Sequence, residues 1–488
     1  MNKFLLFPFL LLSFYSQAQK KSNPQVFANS ITVADLKKHL SIIAGREMEG
    51  RETATEGERK AAAYIEGEFK RIGLQPGNNG SYQMLFPLYQ DSLLNATLEV
   101  NGQRFQLDKD FKVSLNNIHA RHAFSEAVFI GQNVPVNTID PLALSGKLII
   151  VVGESRMLRL GRRSSQLLSI IKDASPAAIL YINLEYTTTN PMLLSPFKKS
   201  ILPQQFTISE NVARAIAGSS YADATTSTSP KVLPANVLLE MQKTTFNLQS
   251  RNVMGILPGT DLKDEYLFIT AHYDHLGKRD TVIYYGADDD GSGTVGVIEL
   301  AEAFAKAKAA GKGPRRSIVF MTVSGEEKGL LGSEYYGDHP IFPLNKTTAD
   351  LNIDMIGRSD PDRKAGDSAN YIYVVGDDKI SSDLKIISES QNKKYTKLEL
   401  DYKFNDPNDP EQIYYRSDHY NFAKHGVPII FYYDGMLRPD YHRPTDTIEK
   451  IDFNLLAKRA RLVFYTAWEM ANRDNMVKRD LPLPVLSR

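Results

Sequence analysis

The apolar positions of this chain change their period along its length. Early on, "TVADLKKHLSIIAG" and "EGERKAAAYIEGEFKRIGLQPG" space them three and four apart, the second through Ala62, Ile65, Phe69 and Ile72. Both stretches predict amphipathic helices, the second ending at Gly73. From Phe111 to Ala235 short strand-like runs take over ("EAVFIG", "GKLIIVV", "AAILYI"), broken by polar loops and by the Ser/Thr-rich "GSSYADATTSTSP". That texture predicts a separate β-rich unit. Beyond Leu248 strands and helices alternate: "EYLFITA", "GTVGVIELAEAFAKAKAA", "RSIVFMTVS", "KGLLGSEYYG", "ADLNIDMIG", "VPIIFYYDG", then a helix around "NLLAKRARLVFYTAWEMANR". Nearly continuous apolar strands alternating with helices predict an α/β fold, a mostly parallel mixed sheet covered by helices on both faces.

The first residues, "MNKFLLFPFLLLSFYSQAQ", read as a secretory signal: one Lys, an apolar run too short to span a membrane comfortably, then Ser16 and Ala18. The expected organisation is a signal over 1–18 cut after Ala18, the start of the main domain over 19–110, an inserted unit over 111–235 and the main domain over 236–488. The mature protein is expected to be exported, periplasmic or extracellular, with no membrane span after signal removal. With 488 residues, 42% of them hydrophobic, there is ample core; Lys+Arg 58 against Asp+Glu 57 leaves a formal charge of +1 and no bulk attraction to nucleic acid. The chain has no cysteine, so thiolate metal sites and cysteine nucleophiles are excluded. The basic "RMLRLGRR" reads as a solvated surface.

In an open α/β sheet, sites form outside the carboxyl ends of the strands. The polar residues there are His272 and Asp274 after "LFITA", Asp288 to Asp290 before a helix, Glu326 and Glu327 after "FMTVSG", Asp354 after "LNI", and His442 beyond "VPIIFYYDG". One acidic strand end is ordinarily a cap or a solvated turn; several on one rim need cations to be tolerable. Nitrogen and carboxylate donors without sulfur suit borderline divalent metals, zinc first. If the strand runs on through both, His272 and Asp274 share a side, and Asp274 accepts a hydrogen bond from the ring nitrogen that faces away from metal. Gly291, Gly293 and Gly296 match a dinucleotide-binding G-x-G-x-x-G, but carboxylates occupy the place a phosphate would take. These glycines are read instead as room for close backbone approach, and no dinucleotide cofactor is expected.

In order, "TAHYDHLG", "GADDDGSG", "SGEEKGLLGS", "LNIDMIG" and "YHRPTDT" resemble the co-catalytic di-zinc exopeptidases, a family that includes bacterial leucyl-type aminopeptidases and glutamate carboxypeptidase. The segment 111–235 more weakly resembles the protease-associated domain that some members carry. The resemblance implies two zinc ions, His272 and Asp354 holding one, Glu327 and His442 the other, and Asp289 bridging both through a residue joined to Asp290 by a cis peptide. It implies Glu326 as general base and a peptide substrate, with Asp274 in the catalytic set as the orienting partner of His272. By analogy, Tyr414 or Tyr415 is a candidate for the oxyanion and Arg416 for the substrate, with Arg416, Asp418 and His419 shaping the pocket or the layer of residues behind it; His425 is read as structural and "NDPNDPE" as a solvated loop. The implied activity is removal of N-terminal residues from peptides. The alternatives are a carboxypeptidase with a basic pocket around Arg416, a glutaminyl cyclase-like cyclotransferase, and a receptor-like protein without catalysis.

Overall fold

A computed structural model of the chain describes residues 23–113, 115, 119–152, 162–182, 193–195, 204–364 and 366–484. The leader expected over residues 1–18 and most of "RMLRLGRR" lie outside them. The chain forms two compact units, one built from Met1–Phe86 with Arg251–Arg488, the other from Pro87–Ser250.

The first unit holds the elements that alternate in the sequence. They are helices α1 (Val33–Ile43) and α2 (Glu56–Ile72), strand β1 (Leu262–His272), helix α3 (Gly293–Ala309), strand β2 (Arg316–Val323), helix α4 (Leu331–Asp338), strands β3 (Thr347–Ile353), β4 (Tyr371–Val375) and β5 (Ile429–Tyr433), and helix α5 (Phe453–Asn472). The sheet order is β4-β5-β3-β1-β2. β5, β3, β1 and β2 run parallel, β4 joins β5 antiparallel, and Val253–Leu257 joins β2 antiparallel.

The strands read as continuous apolar runs because both faces are covered, yet the period of two persists underneath. In β2, Ile318 and Phe320 enter the core beneath α1, α2, α3 and α5, while Val319, Met321 and Val323 enter the core beneath α4. In α2, Ala62, Ile65 and Phe69 are fully buried, each large one worth about 1.5–3 kcal/mol of burial. Thr32 and Thr55 cap α1 and α2 by accepting from Asp35 N and Glu58 N, and α2 stops at Gly73, whose φ of 86° is left-handed. The chain leaves β1 toward β2 on one side and returns through β3 on the other. The carboxyl end of β1 is therefore a topological switch point, where a crevice opens.

The second unit, Pro87–Ser250, extends beyond the expected 111–235 at both ends, because the long strands Gln83–Val100 and Lys231–Leu257 contribute most of their length to it. Its sheet runs Lys231–Met241, Ala120–Ile130, Leu148–Val152, Ala178–Ile182, Gln204–Ile208, Phe111–Val113, with the middle pairings parallel. It also carries helices, among them Arg162–Asp173 and Glu210–Ala217. The Ser/Thr-rich "GSSYADATTSTSP", expected as a polar break, contains the short helix Tyr221–Thr226, which buries Tyr221 and Ala224.

Candidate metal centre

The carboxyl ends of β1, β2, β3 and β5 bring the expected residues together. His272 is the last residue of β1; Glu326 and Glu327 follow β2, Asp354 follows β3, and His442 lies on the loop beyond β5. Asp289 stands between two groups of donors. Its Oδ1 is 3.3 Å from His272 Nε2, which is also 3.5 Å from Asp354 Oδ1; its Oδ2 is 3.2 Å from His442 Nε2, which is 3.0 Å from Glu327 Oε2. One carboxylate thus presents one oxygen to each group. His272, Asp289 and Asp354 are buried, whereas the His442 side chain is 37% exposed.

The loop that carries Asp289 is held by buried carboxylates, not by helix geometry. Asp446 accepts from the backbone N–H of Asp288 and Asp289, and Asp288 Oδ1 accepts from Gly357 N at 2.8 Å. Asp290 accepts from His272 N, Gly293 N and Met355 N, tying the end of β1, the start of α3 and the turn after β3 into one knot. The Asp289–Asp290 peptide is cis. Gly293 meets its expected role: a Cβ there would lie 2.4 Å from both Asp290 carboxylate oxygens and 2.5 Å from Ile353 O. At Gly296 a Cβ would make only ordinary contacts, at 3.7 Å, so that glycine is not required by close approach.

Beneath the loop, Arg51 is fully buried and donates to the carbonyls of Ile43, Tyr273, Tyr285 and Gly286. Burial brings its guanidinium down to about 10, against the pull of Asp274, Asp446 and Asp289, so it remains a cation under an acidic cluster.

Asp274 does not orient the His272 ring with its carboxylate. The strand ends at His272, and the turn presents the Asp274 backbone carbonyl to His272 Nδ1 at 3.1 Å, leaving the carboxylate 3.7 Å away, beyond hydrogen-bond range. The carboxylate instead accepts from Thr53 Oγ1 (2.7 Å) and from Glu326 N (3.2 Å). It therefore positions the backbone of Glu326, the expected general base.

Electrostatics divides the acids. Burial pushes the Glu326 carboxyl well above the ordinary range, with Glu327 and Asp354 adding to the rise and His272 opposing it. Burial works the same way on Asp289, but His272, His442 and His275 outweigh it and hold Asp289 well below the ordinary range. Glu327 also ends below its usual value, because His275 and His442 overcome burial and the Asp289 charge. Despite partial burial, contact with Asp289 and Glu327 raises the His442 imidazole to about 10.

Whether a cation fits can be judged from the cluster's own share of the buried atoms that have no hydrogen-bond partner among the described residues, which includes His272 Nε2, His275 Nδ1, Asp289 Oδ2 and Glu327 Oε1. All are donors to a divalent metal and all belong to this cluster. Leaving such atoms unsatisfied in a dry site costs on the order of 1–3 kcal/mol each. Two sets whose donor atoms lie within 4.8 Å of one another stand out, His272 with Asp289 and Asp354, and His275 with Asp289 and Glu327. The residues present fit divalent metal on both sides of Asp289.

Of the two oxyanion candidates, Tyr414 sits in the core beneath α4 and Tyr415 packs edge-on against it. Tyr414 is fully buried against Tyr415, His419 and Tyr420, held there by the turn Ile413–Tyr415. His419 is held in the core: its Nε2 bonds to Tyr414 O at 2.8 Å, its ring stacks on Phe431, and burial lowers it to about 3. Asp418, pushed up to about 7 by burial, accepts from Ser333 Oγ.

The aromatic residue beside the donors is Tyr441. Its ring stacks on His442 at 3.8 Å and its hydroxyl accepts from Arg416 at 3.2 Å. Burial and the charges of Asp289, Glu327 and Glu326 raise its phenol, keeping the proton on the oxygen. Tyr441 and Arg416 line a cavity of about 430 Å³ with Asp360, Lys403, Leu437 and Arg438 among its walls. Sequence reasoning passed over Tyr441 although it adjoins His442 in "YHRPTDT", and over Asp446 in the same motif and His275 in "TAHYDHLG".

Residues 252–467 match the family model described as Peptidase family M28. A probable leucine aminopeptidase of Trichophyton verrucosum (strain HKI 0517) is 31% identical over 226 residues, 45% of this chain and 57% of that protein. The chain thus spans little more than half the length of this curated relative. Among solved structures, an aminopeptidase from Aneurinibacillus sp. strain AM-1 matches with a TM-score of 0.60 at 18% identity, over 95% of this chain and 100% of its own. BSAP, a zinc aminopeptidase from Bacillus subtilis, matches with a TM-score of 0.55 at 19% identity, over 92% of this chain and 99% of its own. At these identities the two structures speak to the fold.

Proposed function

We propose that this chain is a member of peptidase family M28, whose model its residues 252–467 match, and that it is a zinc-dependent aminopeptidase removing N-terminal residues from peptides. The observation that carries the reading is Asp289, one oxygen facing His272 and Asp354 and the other facing Glu327 and His442. His272, Asp289 and Asp354 would hold one zinc, and Asp289, Glu327 and His442 a second. Zinc bound there supplies Lewis-acid polarisation of the scissile carbonyl and lowers the pKa of an attacking water.

The chain's own residues do the rest. Glu326, beside His272 and unclaimed by the two donor sets, takes a proton from the water that attacks the carbonyl carbon. It returns that proton to the amide nitrogen as the C–N bond breaks, releasing the terminal residue and a shortened peptide. Asp274 and Thr53 keep the Glu326 backbone in place. The Tyr441 hydroxyl, protonated and beside His442, donates to the carbonyl oxygen as it gains charge. Arg416 orients that hydroxyl.

Aminopeptidase polarity is favoured by the relatives named leucine aminopeptidase. Export rests on the leader read over residues 1–18, and no helix among the described residues is long and apolar enough to cross a membrane. Pro87–Ser250 is read as an inserted protease-associated-like domain, which its interruption of the first unit supports.

The test is to incubate the zinc-loaded protein with free and end-blocked peptides and follow by mass spectrometry which end shortens. Stepwise loss from free N-termini, abolished by acetylation and by a chelator, is expected. Loss from the C-terminus would keep the metal chemistry and reverse the polarity, and no loss from either end would remove the activity.

A further inference from the structure

Resting on the two-metal reading above, we infer that His275 is a further ligand on the Glu327/His442 side of Asp289, so that this side offers two imidazoles and the His272/Asp354 side one. His275 Nδ1 lies 2.8 Å from Glu327 Oε1 and 3.9 Å from Asp289 Oδ2, and the ring is 6.0 Å from that of His442. The residue is fully buried, its close polar approach is to the Glu327 carboxylate, and neither ring nitrogen is bonded to a hydroxyl or carbonyl among the described residues.

Two other buried imidazoles show what a structural histidine looks like in this fold. His39 bonds Tyr64 Oη through Nδ1 at 2.7 Å, and His419 bonds Tyr414 O through Nε2 at 2.8 Å. His275 has nothing of the kind. It shares instead the signature of His272, a buried nitrogen facing two carboxylates.

The ring is also built into place. Its backbone N–H donates to Arg51 O, and its face lies on Gly286, where a Cβ would come within 2.5 Å of His275 Cγ. The carbonyl of Gly286 is in turn held by Arg51 Nη2 at 2.9 Å. A side chain larger than hydrogen at position 286 would push the ring off Glu327.

The two sides of Asp289 then differ in the metals they prefer. Imidazole favours zinc, copper and nickel, whereas carboxylate favours magnesium, calcium and manganese. The first equivalent of zinc fills the His275/His442 side, and manganese competes best on the His272/Asp354 side. His275 thereby sets the order in which the sites load.

The experiment is X-ray absorption at the zinc edge on the full chain loaded with two equivalents of zinc, with a chelator-competition titration of the same samples. The expected result is three imidazoles shared between two zinc ions in the native protein and two in His275→Gln. In the titration the variant loses at least about 10-fold in affinity at one site while the other is unchanged. Two bound zinc ions with two imidazoles in the native protein, or unaltered affinities at both sites in His275→Gln, would overturn the assignment while leaving the two-metal reading intact. Failure of the native protein to bind zinc would remove the proposed function itself, and the assignment with it. The native imidazole count decides the question even if the variant does not fold.

Discussion

The two sides of Asp289 are built differently. His272 and Asp354 end neighbouring parallel strands, are buried, and meet a backbone knotted together by Asp290. His442 lies on a loop, half-exposed, with a left-handed φ of 57°, and its ring rests on Tyr441. The difference teaches that the strand ends fix one half of the centre by sheet geometry, while in the other half Glu327 follows β2 and His442, on its loop, rests on Tyr441. Asp289 alone belongs to both.

The largest effect should therefore follow Asp289→Ala. It removes the carboxylate common to both sides, and we expect loss of all retained zinc by metal analysis and a fall in kcat/KM beyond the roughly 10⁴-fold that a general base alone is worth. Retention of one tight zinc would show the two sides to be independent.

Glu326→Gln should lower kcat by about 10²–10⁴-fold while zinc content stays at the native level. A rate close to native with normal metal would end the assignment of Glu326 as base.

Tyr441→Phe keeps the ring on His442 and removes only the hydroxyl. A drop of about 10²-fold in kcat with KM nearly unchanged is expected if that hydroxyl meets the developing oxyanion. Tyr414→Phe, by contrast, should leave steady-state kinetics close to native, since its side chain is fully buried in the core.

Asp274→Asn weakens the grip on the Glu326 backbone without removing a proposed ligand, so a loss of about 10–100-fold in turnover is expected. Because Asp274 also holds Thr53, Thr53→Val should reproduce part of that loss, and the double variant should fall short of the sum.

The smallest effect is on pH. Raised to about 10, His442 carries a proton near neutrality when no metal is bound, and zinc must displace it. Zinc affinity should then fall about tenfold for each unit the pH drops, per proton displaced. Calorimetric titration in buffers of different ionisation enthalpy counts those protons; zinc binding that releases none would contradict the raised imidazole.

How much of this the sequence carried depends on distance along the chain. The alternation after Leu248 disclosed the first unit's sheet because each buried strand is a short apolar run closed by a polar residue. The ligand candidates were legible because they are those closing residues. The edges of Pro87–Ser250 were not, since Gln83–Val100 and Lys231–Leu257 run as unbroken strands past the unit's ends and offer no turn signal there.

Thr53 reaches Asp274 across 221 positions, and Arg51 reaches Tyr285 across 234; neither partnership leaves a local pattern. Tyr441 was adjacent to a named ligand, but a paired tyrosine in a polar loop offered a more conspicuous candidate. Packing decided between them, sending Tyr414 into the core and Tyr441 onto His442. For Asp274, the sequence carried the proximity to His272 and not the end of the strand between them. The turn there swaps carboxylate for carbonyl at the ring nitrogen.

The central claim is that Asp289 is shared by two metal ions. Crystals of the zinc-loaded protein, measured with X-rays just above and just below the zinc absorption edge, test it most directly. The account predicts two anomalous peaks, one on each side of the Asp289 carboxylate, the first against His272 and Asp354, the second against Glu327 and His442. A single peak, or peaks away from Asp289, would contradict it.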